Sequence, residues 1–258
     1  MKSDRYVELD ILRGIAILLM IVYHTAYDLR IFYGWNIAVF DGRWWLLARS
    51  TAVLFLLLVG VGAAISHGWV AASRRDAATI WKRSIRRFIR IGSAAALVTV
   101  ATYIIDPGTY VRFGILHLIA VSALVMPVVA WLWTGGAETQ RRCVSATIMI
   151  AIIIIIIGPI ANVTTIPTSL LLPLGFSPAG FQTVDYFPII PWFGVILIGY
   201  VIGWYLYIDV PRVGGPRRSV AAFPQTMIRF SGRHSLLVYL VHQPVILGVL
   251  WVMLGSWK

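Results

Sequence analysis

A chain of 258 residues that is 59% hydrophobic and only 12% charged is not an ordinary soluble domain, in which roughly a quarter of residues are charged. Its mean hydropathy of +0.84 places it among polytopic integral membrane proteins, read here as one domain over 1–258 in the lipid bilayer. The net charge of +12 lies between apolar runs with no nucleic-acid signature, which argues against nucleic acid, and the single Cys143 excludes an intramolecular disulfide and a cysteine-built zinc site.

Apolar windows long enough to span fall at about 11–32, 45–70, 87–105, 113–134, 143–162, 187–208 and 234–255. The fold class is therefore all-α, a membrane helix bundle of about seven transmembrane helices. With the N-terminus inside, seventeen Lys and Arg lie on inner segments and five on outer ones, together all 22 in the chain. That asymmetry supports this orientation. The first window lacks a small-residue cleavage site and reads as a signal-anchor span.

The first helix carries Asp10, Arg13, His24 and Asp28. At about 100° per residue, Arg13 and His24 project about 20° apart, with Asp10 and Asp28 each about 60° from Arg13. Ionisable groups in a membrane helix are costly and face a bundle interior or a wet cavity, so this face is the first functional candidate. His24 lies about 20 Å from the inner start of the helix, and Asp28 one turn further out. Asp10 and Arg13 form an inner-end pair.

In the second helix, Gly60, Gly62, Ala63 and Ala64 permit close helix contact, and His67 near its inner end reads as an interfacial residue. The inner segment Arg74 to Arg90 follows. Arg83, Arg86, Arg87 and Arg90 repeat at i, i+3, i+4 and i+7 and line one helical face. They serve either as topological anchors or as a phosphate-binding surface, because guanidinium groups suit phosphate oxygens.

Beyond the outer turn Asp106-Pro107-Gly108, His117 sits about one turn inside the outer face. The isoleucine run Ile152 to Ile157 looks lipid-facing. The outer connection 163–186 is Pro-rich and apolar, which predicts a lid or re-entrant piece ending at Asp185. The stretch Asp209 to Gly232 reads as a basic inner loop. In the last helix Ser235, Tyr239, His242 and Gln243 share a face. The polar groups define a path from the inner basic surface to an outer pocket, and no metal-ligand set can be assembled.

Four stretches carry a family resemblance: E-x-D-x-x-R-G-I-A-I-L-L-M-I-x-x-H-x-x-Y-D-L (Glu8 to Leu29), F-G-I-L-H-L-I (Phe113 to Ile119), D-Y-F-P-x-x-P-W-F-G (Asp185 to Gly194) and G-R-H-S-L-x-x-Y-L-x-H-Q-P (Gly232 to Pro244). Over about 5–250 the chain resembles prokaryotic relatives of the heparan-alpha-glucosaminide N-acetyltransferase catalytic domain. The closing motif is also similar to the wider membrane acyltransferase family three.

The resemblance implies an enzyme that takes acetyl from cytoplasmic acetyl-CoA to a sugar amine or hydroxyl of a glycan acceptor on the far side, without a metal. It also implies residence in a prokaryotic cytoplasmic membrane, and a homodimer is left open. Eukaryotic members tend to show Asn where His24 stands, so the base is read from the residues. His24 with Asp28 is the expected base pair, with His117 or Tyr239 as oxyanion donor or acceptor holder. Arg13, Arg83, Arg86, Arg87, Arg90, Tyr239 and His242 are the expected donor-binding groups. The alternative is a proton-coupled transporter or channel that uses the His/Asp face as a relay. A non-catalytic scaffold would leave the membrane His and Asp residues unexplained.

Overall fold

A computed structural model describes residues 6–72, 77–133, 135, 137–209 and 223–256. Among them are eight α-helices and no strand. They are α1 (Val7–Tyr33), α2 (Gly42–Ala72), α3 (Ala77–Ile105), α4 (Ile115–Leu132), α5 (Ala137–Val163), α6 (Ile189–Trp204), α7 (Phe223–Arg233) and α8 (Ser235–Leu254). All but α7 are long and apolar enough to cross a membrane, so the chain is an integral membrane protein. Of the basic residues counted above, Lys2, Arg5, Arg74, Arg75, Arg212, Arg217, Arg218 and Lys258 lie outside the described residues.

One expectation is corrected. Asp209 to Gly232 was read as a loop, yet α7 occupies its last turns. An 11-residue helix is too short and too polar to register as a span. Its order comes from packing on a neighbour rather than from its own apolar length.

The chain divides into two compact units, one of residues 1–58 and 213–258, the other of residues 59–212. In the first, α1 ends at Gly34, whose φ of 69° is the left-handed conformation that suits glycine. The Gly34 N–H donates to the Arg30 carbonyl and the Trp35 N–H to that of Leu29, a pattern that satisfies carbonyls orphaned at a helix end. Helix α7 runs antiparallel along the start of α1. A Cβ on Gly14 would overlap the Ile228 carbonyl, and one on Gly232 the Asp10 carbonyl, so two glycines allow the backbones to touch. Helix α8 runs parallel to α1. Arg233, just ahead of α8, meets Asp10, Gln243 meets Asp28, and the Tyr33 hydroxyl donates to the Gly255 carbonyl at 3.1 Å.

In the second unit α3 pairs with α4 and α5 with α6. Gly60 approaches the Ile196 carbonyl of α6 and Gly203 the Val61 backbone, the close contact expected of the small residues in α2. Tyr200 and Trp133 are buried at the centre, and Trp133 Nε1 donates to Thr147 Oγ1 at 3.1 Å. His67, expected at an interface, is buried here with its Nδ1 3.4 Å from the Tyr200 hydroxyl. That tyrosine supplies the polar partner a buried imidazole needs. Ile152, Ile153 and Ile156 are exposed, which suits a face turned to lipid.

The connection after α5 folds back on the α3–α4 turn. The Val184 N–H donates to the Thr109 carbonyl at 2.9 Å and the Phe187 N–H to that of Phe113 at 3.0 Å. Thr183 Oγ1 donates to the Tyr110 carbonyl, and the Tyr186 hydroxyl to that of Leu172, each at 2.9 Å. Arg112 lies over the Tyr110 and Phe181 rings at 4.9 and 5.3 Å, an added cation–π tether.

Candidate functional site

The first unit brings together His24 and Asp28 of α1 with His242 and Gln243 of α8. The His24 and His242 rings meet edge to face with centroids 4.9 Å apart. Asp28 is fully buried, and its Oδ1 accepts from Gln243 Nε2 at 2.7 Å. Asp28 Oδ2, Gln243 Oε1 and His242 Nε2 are buried with no hydrogen-bond partner among the described residues.

The hydrogen bonds fix the chemistry of His242. Its Nδ1 lies 2.5 Å from the Tyr239 carbonyl oxygen. A carbonyl only accepts, so Nδ1 carries the proton. In the neutral ring Nε2 is then a lone pair, held in place from the far side of the imidazole, as a base must be. His24 makes no hydrogen bond among the described residues and rests on Tyr23, Tyr27 and His242. The expected pairing of His24 with Asp28 is not made. Asp28 turns to Gln243, whose amide reaches its oxygen squarely, while one turn of α1 sets His24 against another imidazole. Tyr239 lies on the same helix, its ring centroid 5.5 Å from that of His242.

The other expected residues sit elsewhere. Arg13 Nη1 lies 3.7 Å from Asp10 Oδ1 at the inner end of α1. Arg83, Arg86, Arg87 and Arg90 are exposed on α3 in the second unit.

His117 is also in the second unit, at the start of α4. Its Nδ1 accepts from the Gly114 N–H at 3.2 Å, so Nε2 bears the proton and donates to Thr99 Oγ1 at 3.3 Å. Thr99 in turn donates to the Val111 carbonyl at 2.8 Å. Asp185 Oδ2 accepts from the Ile115 N–H at 3.1 Å. Together they satisfy two donors that a helix start leaves open. Burial pushes the Asp185 carboxyl up to about 6, against the lowering effect of the Ile115 hydrogen bond. A Cβ on Gly114 would collide with that carboxylate, which explains the glycine between Phe113 and Ile115.

Gln243 is the residue that sequence reasoning left out of the site. Its place on the face of Tyr239 and His242 was legible; its bond to Asp28, 215 positions away, was not. Among the described residues no group of three or more His, Cys, Asp or Glu is placed to hold a metal.

A bundle of apolar spans with buried, hydrogen-bonded ionisable groups on two facing helices defines a polytopic membrane protein with an intramembrane polar site. The chain belongs to the heparan-alpha-glucosaminide N-acetyltransferase catalytic family, whose model matches residues 5–244. This is a family of transmembrane acetyltransferases. No curated protein and no solved structure matches the chain.

Proposed function

We propose that this protein transfers an acetyl group from cytoplasmic acetyl-CoA to a primary amine of a glycan or amino sugar presented from the outer side. The observation that carries the reading is the oriented His242, whose Nε2 is a buried lone pair beside His24, Asp28 and Gln243. Attack on a thioester needs a base for the nucleophile's proton and a donor for the developing oxyanion. The unpartnered Asp28 Oδ2, Gln243 Oε1 and His242 Nε2 are all acceptors. A protonated amine brings three N–H donors and a positive charge for Asp28, whereas a hydroxyl brings one donor. That favours the amine over the hydroxyl.

In the proposed step the amine gives its extra proton to His242 Nε2, and its nitrogen attacks the thioester carbonyl. The C–N bond forms and the C–S bond breaks. The nitrogen's second proton passes to the thiolate and His242 returns the first to water, so thioester and ammonium become amide, thiol and a released proton. His24, which has no hydrogen-bond partner among the described residues, is the donor to the oxyanion. The exposed Arg83, Arg86, Arg87 and Arg90 of α3 draw the anionic donor to the inner surface by charge. His117 serves the start of α4 and contributes by holding the outer turn.

The test is transfer from radiolabelled acetyl-CoA to glucosamine by the purified chain in nanodiscs. His242→Ala lowers the turnover by roughly 10²–10⁴, the range for loss of a general base. Transfer by His242→Ala at the wild-type rate sinks the assignment. Absence of transfer to any amino sugar or hydroxyl acceptor sinks the reading as a whole.

A further inference from the structure

Three arginines of the first unit flank the seam between α1 and α7, and they are not equivalent. Asp10 is shared by two of them, with Oδ1 3.7 Å from Arg13 Nη1 and Oδ2 3.3 Å from Arg233 Nε. Arg229 lies one turn before Arg233, on the same face of α7. Among the described residues it has no hydrogen bond, ion pair or ring contact, and its Nε–H is buried. Buried donors are almost always paired, so such an atom calls for a partner. The α3 arginines differ, since they are exposed. Even with Glu8 counted beside Asp10, the described seam holds one positive charge in excess.

The position is equally specific. Ile228 packs on Gly14, and α7 runs antiparallel to α1, so Arg229 stands beside the Arg13–Gly14 turn. From Arg13 to His24 is eleven residues, a rise of about 16 Å along α1. We propose that Arg229, with Arg13 and Arg233, binds a phosphate group at the inner end of this unit. The planar guanidinium fork matches phosphate oxygens, and the Asp10 carboxylate is already engaged by the other two arginines.

Two sources share that chemistry, the phosphates of an acyl-CoA donor and the headgroup of an anionic lipid. The donor is favoured by reach. A pantetheine arm has about as many backbone bonds as four residues, roughly 14 Å when extended. A phosphate held by these long side chains therefore sets the thioester at the depth of His24 and His242. This source rests on the proposed acetyl-CoA reaction; the site itself does not.

The experiment uses the full chain in phosphatidylcholine nanodiscs. Acetyl-CoA and S-acetylpantetheine, which lacks the phosphates, are titrated by calorimetry into wild type, Arg229→Ala and Arg229→Gln. Retention of phosphatidylglycerol through delipidation is read in parallel by native mass spectrometry. With the donor as source, either variant weakens acetyl-CoA by roughly tenfold or more, the loss expected for a charge-assisted hydrogen bond. S-acetylpantetheine is unaffected. With a lipid as source, acetyl-CoA is unchanged but phosphatidylglycerol is lost from the variants, which upholds the site and reassigns its ligand. Unchanged acetyl-CoA affinity together with unchanged lipid retention overturns the proposal. If wild type binds no acetyl-CoA, the donor reading falls and the lipid measurement alone decides the site. Arg229→Gln keeps the length and polarity of the side chain, so the result stands if Arg229→Ala fails to fold.

Discussion

The Asp28–Gln243 contact makes a prediction that can be worked through in energy. Asp28 is fully buried, and its one hydrogen bond among the described residues comes from Gln243 at 2.7 Å. Gln243→Leu strips the last donor from a buried carboxyl, and Asp28→Leu strands a buried amide. Hydrogen bonds to charged groups contribute about 1.5–3 kcal/mol in water-soluble proteins. Between membrane helices the average is nearer about 0.6 kcal/mol, with a maximum of about 1.7, because the separated helices find other partners. A short bond to a fully enclosed carboxyl belongs at the upper end, so the expected coupling is about 1.5 kcal/mol. Each single variant is destabilised by at least that much. The double variant Asp28→Leu with Gln243→Leu recovers most of it, since replacing both partners by apolar groups leaves nothing unpaired. Reversible unfolding in micelles gives the four stabilities and the coupling directly. Additive losses, with coupling below about 0.5 kcal/mol, would refute the view that these residues form one buried unit.

Two further outcomes are expected. Gly114→Ala drives a methyl group into the Asp185 carboxylate and costs about 1–3 kcal/mol, the usual range for overpacking. Unfolding temperature measures it, and in an Asp185→Gly background the penalty of the alanine should shrink to what the Val111 side chain, 2.9 Å from the added carbon, still imposes. The second concerns pH. Burial raises the Asp185 carboxyl from its ordinary 3.8 to about 6, so the fold prefers the protonated form. Its contribution is fully present below about pH 4 and is lost as pH climbs through 6. Asp185→Asn stays neutral and keeps an oxygen for the Ile115 N–H. It should match wild type near pH 4 and exceed it by about 2 kcal/mol at pH 8, allowing for partial solvent exposure. Unfolding curves of both proteins across that range check the sign, and a difference that does not change with pH would rule it out.

What was legible in the sequence follows from the range of the forces involved. Apolar length is a local property, and the window 113–134 became α4 over Ile115–Leu132. Helix α7 was not legible because its order depends on Gly14 of another helix. The polar face of α1 was readable at 100° per residue, since His24 and Asp28 need only the helix to lie near each other. Which partner each would take was not readable. One turn of separation favoured His24 for Asp28, but hydrogen-bond geometry is decided across helices, and Gln243 offers an amide donor where His24 offers a ring edge. The same holds for His117. Its depth came from the chain, but the use of both ring nitrogens came from Gly114 and from Thr99 on α3.

The parallel course of α1 and α8 ties the topology to the chemistry. Spans one and seven of a chain that enters from the inner side must run in the same direction, and a count of six would make the first and last antiparallel. Three contacts that follow the same order on both helices, His24 with His242, Asp28 with Gln243 and Tyr33 with Gly255, fit only the odd count. The consequence is chemical. Because the two helices run in parallel, His242 and Gln243 of α8 meet His24 and Asp28 of α1, and two helices far apart in the chain supply one cluster. A slip of one turn, about 5.4 Å along either helix, would place Gln243 out of reach of Asp28 and leave a carboxyl buried without a donor. The pair therefore sets the axial register of α8 on α1, and that register holds His242 Nε2 beside His24.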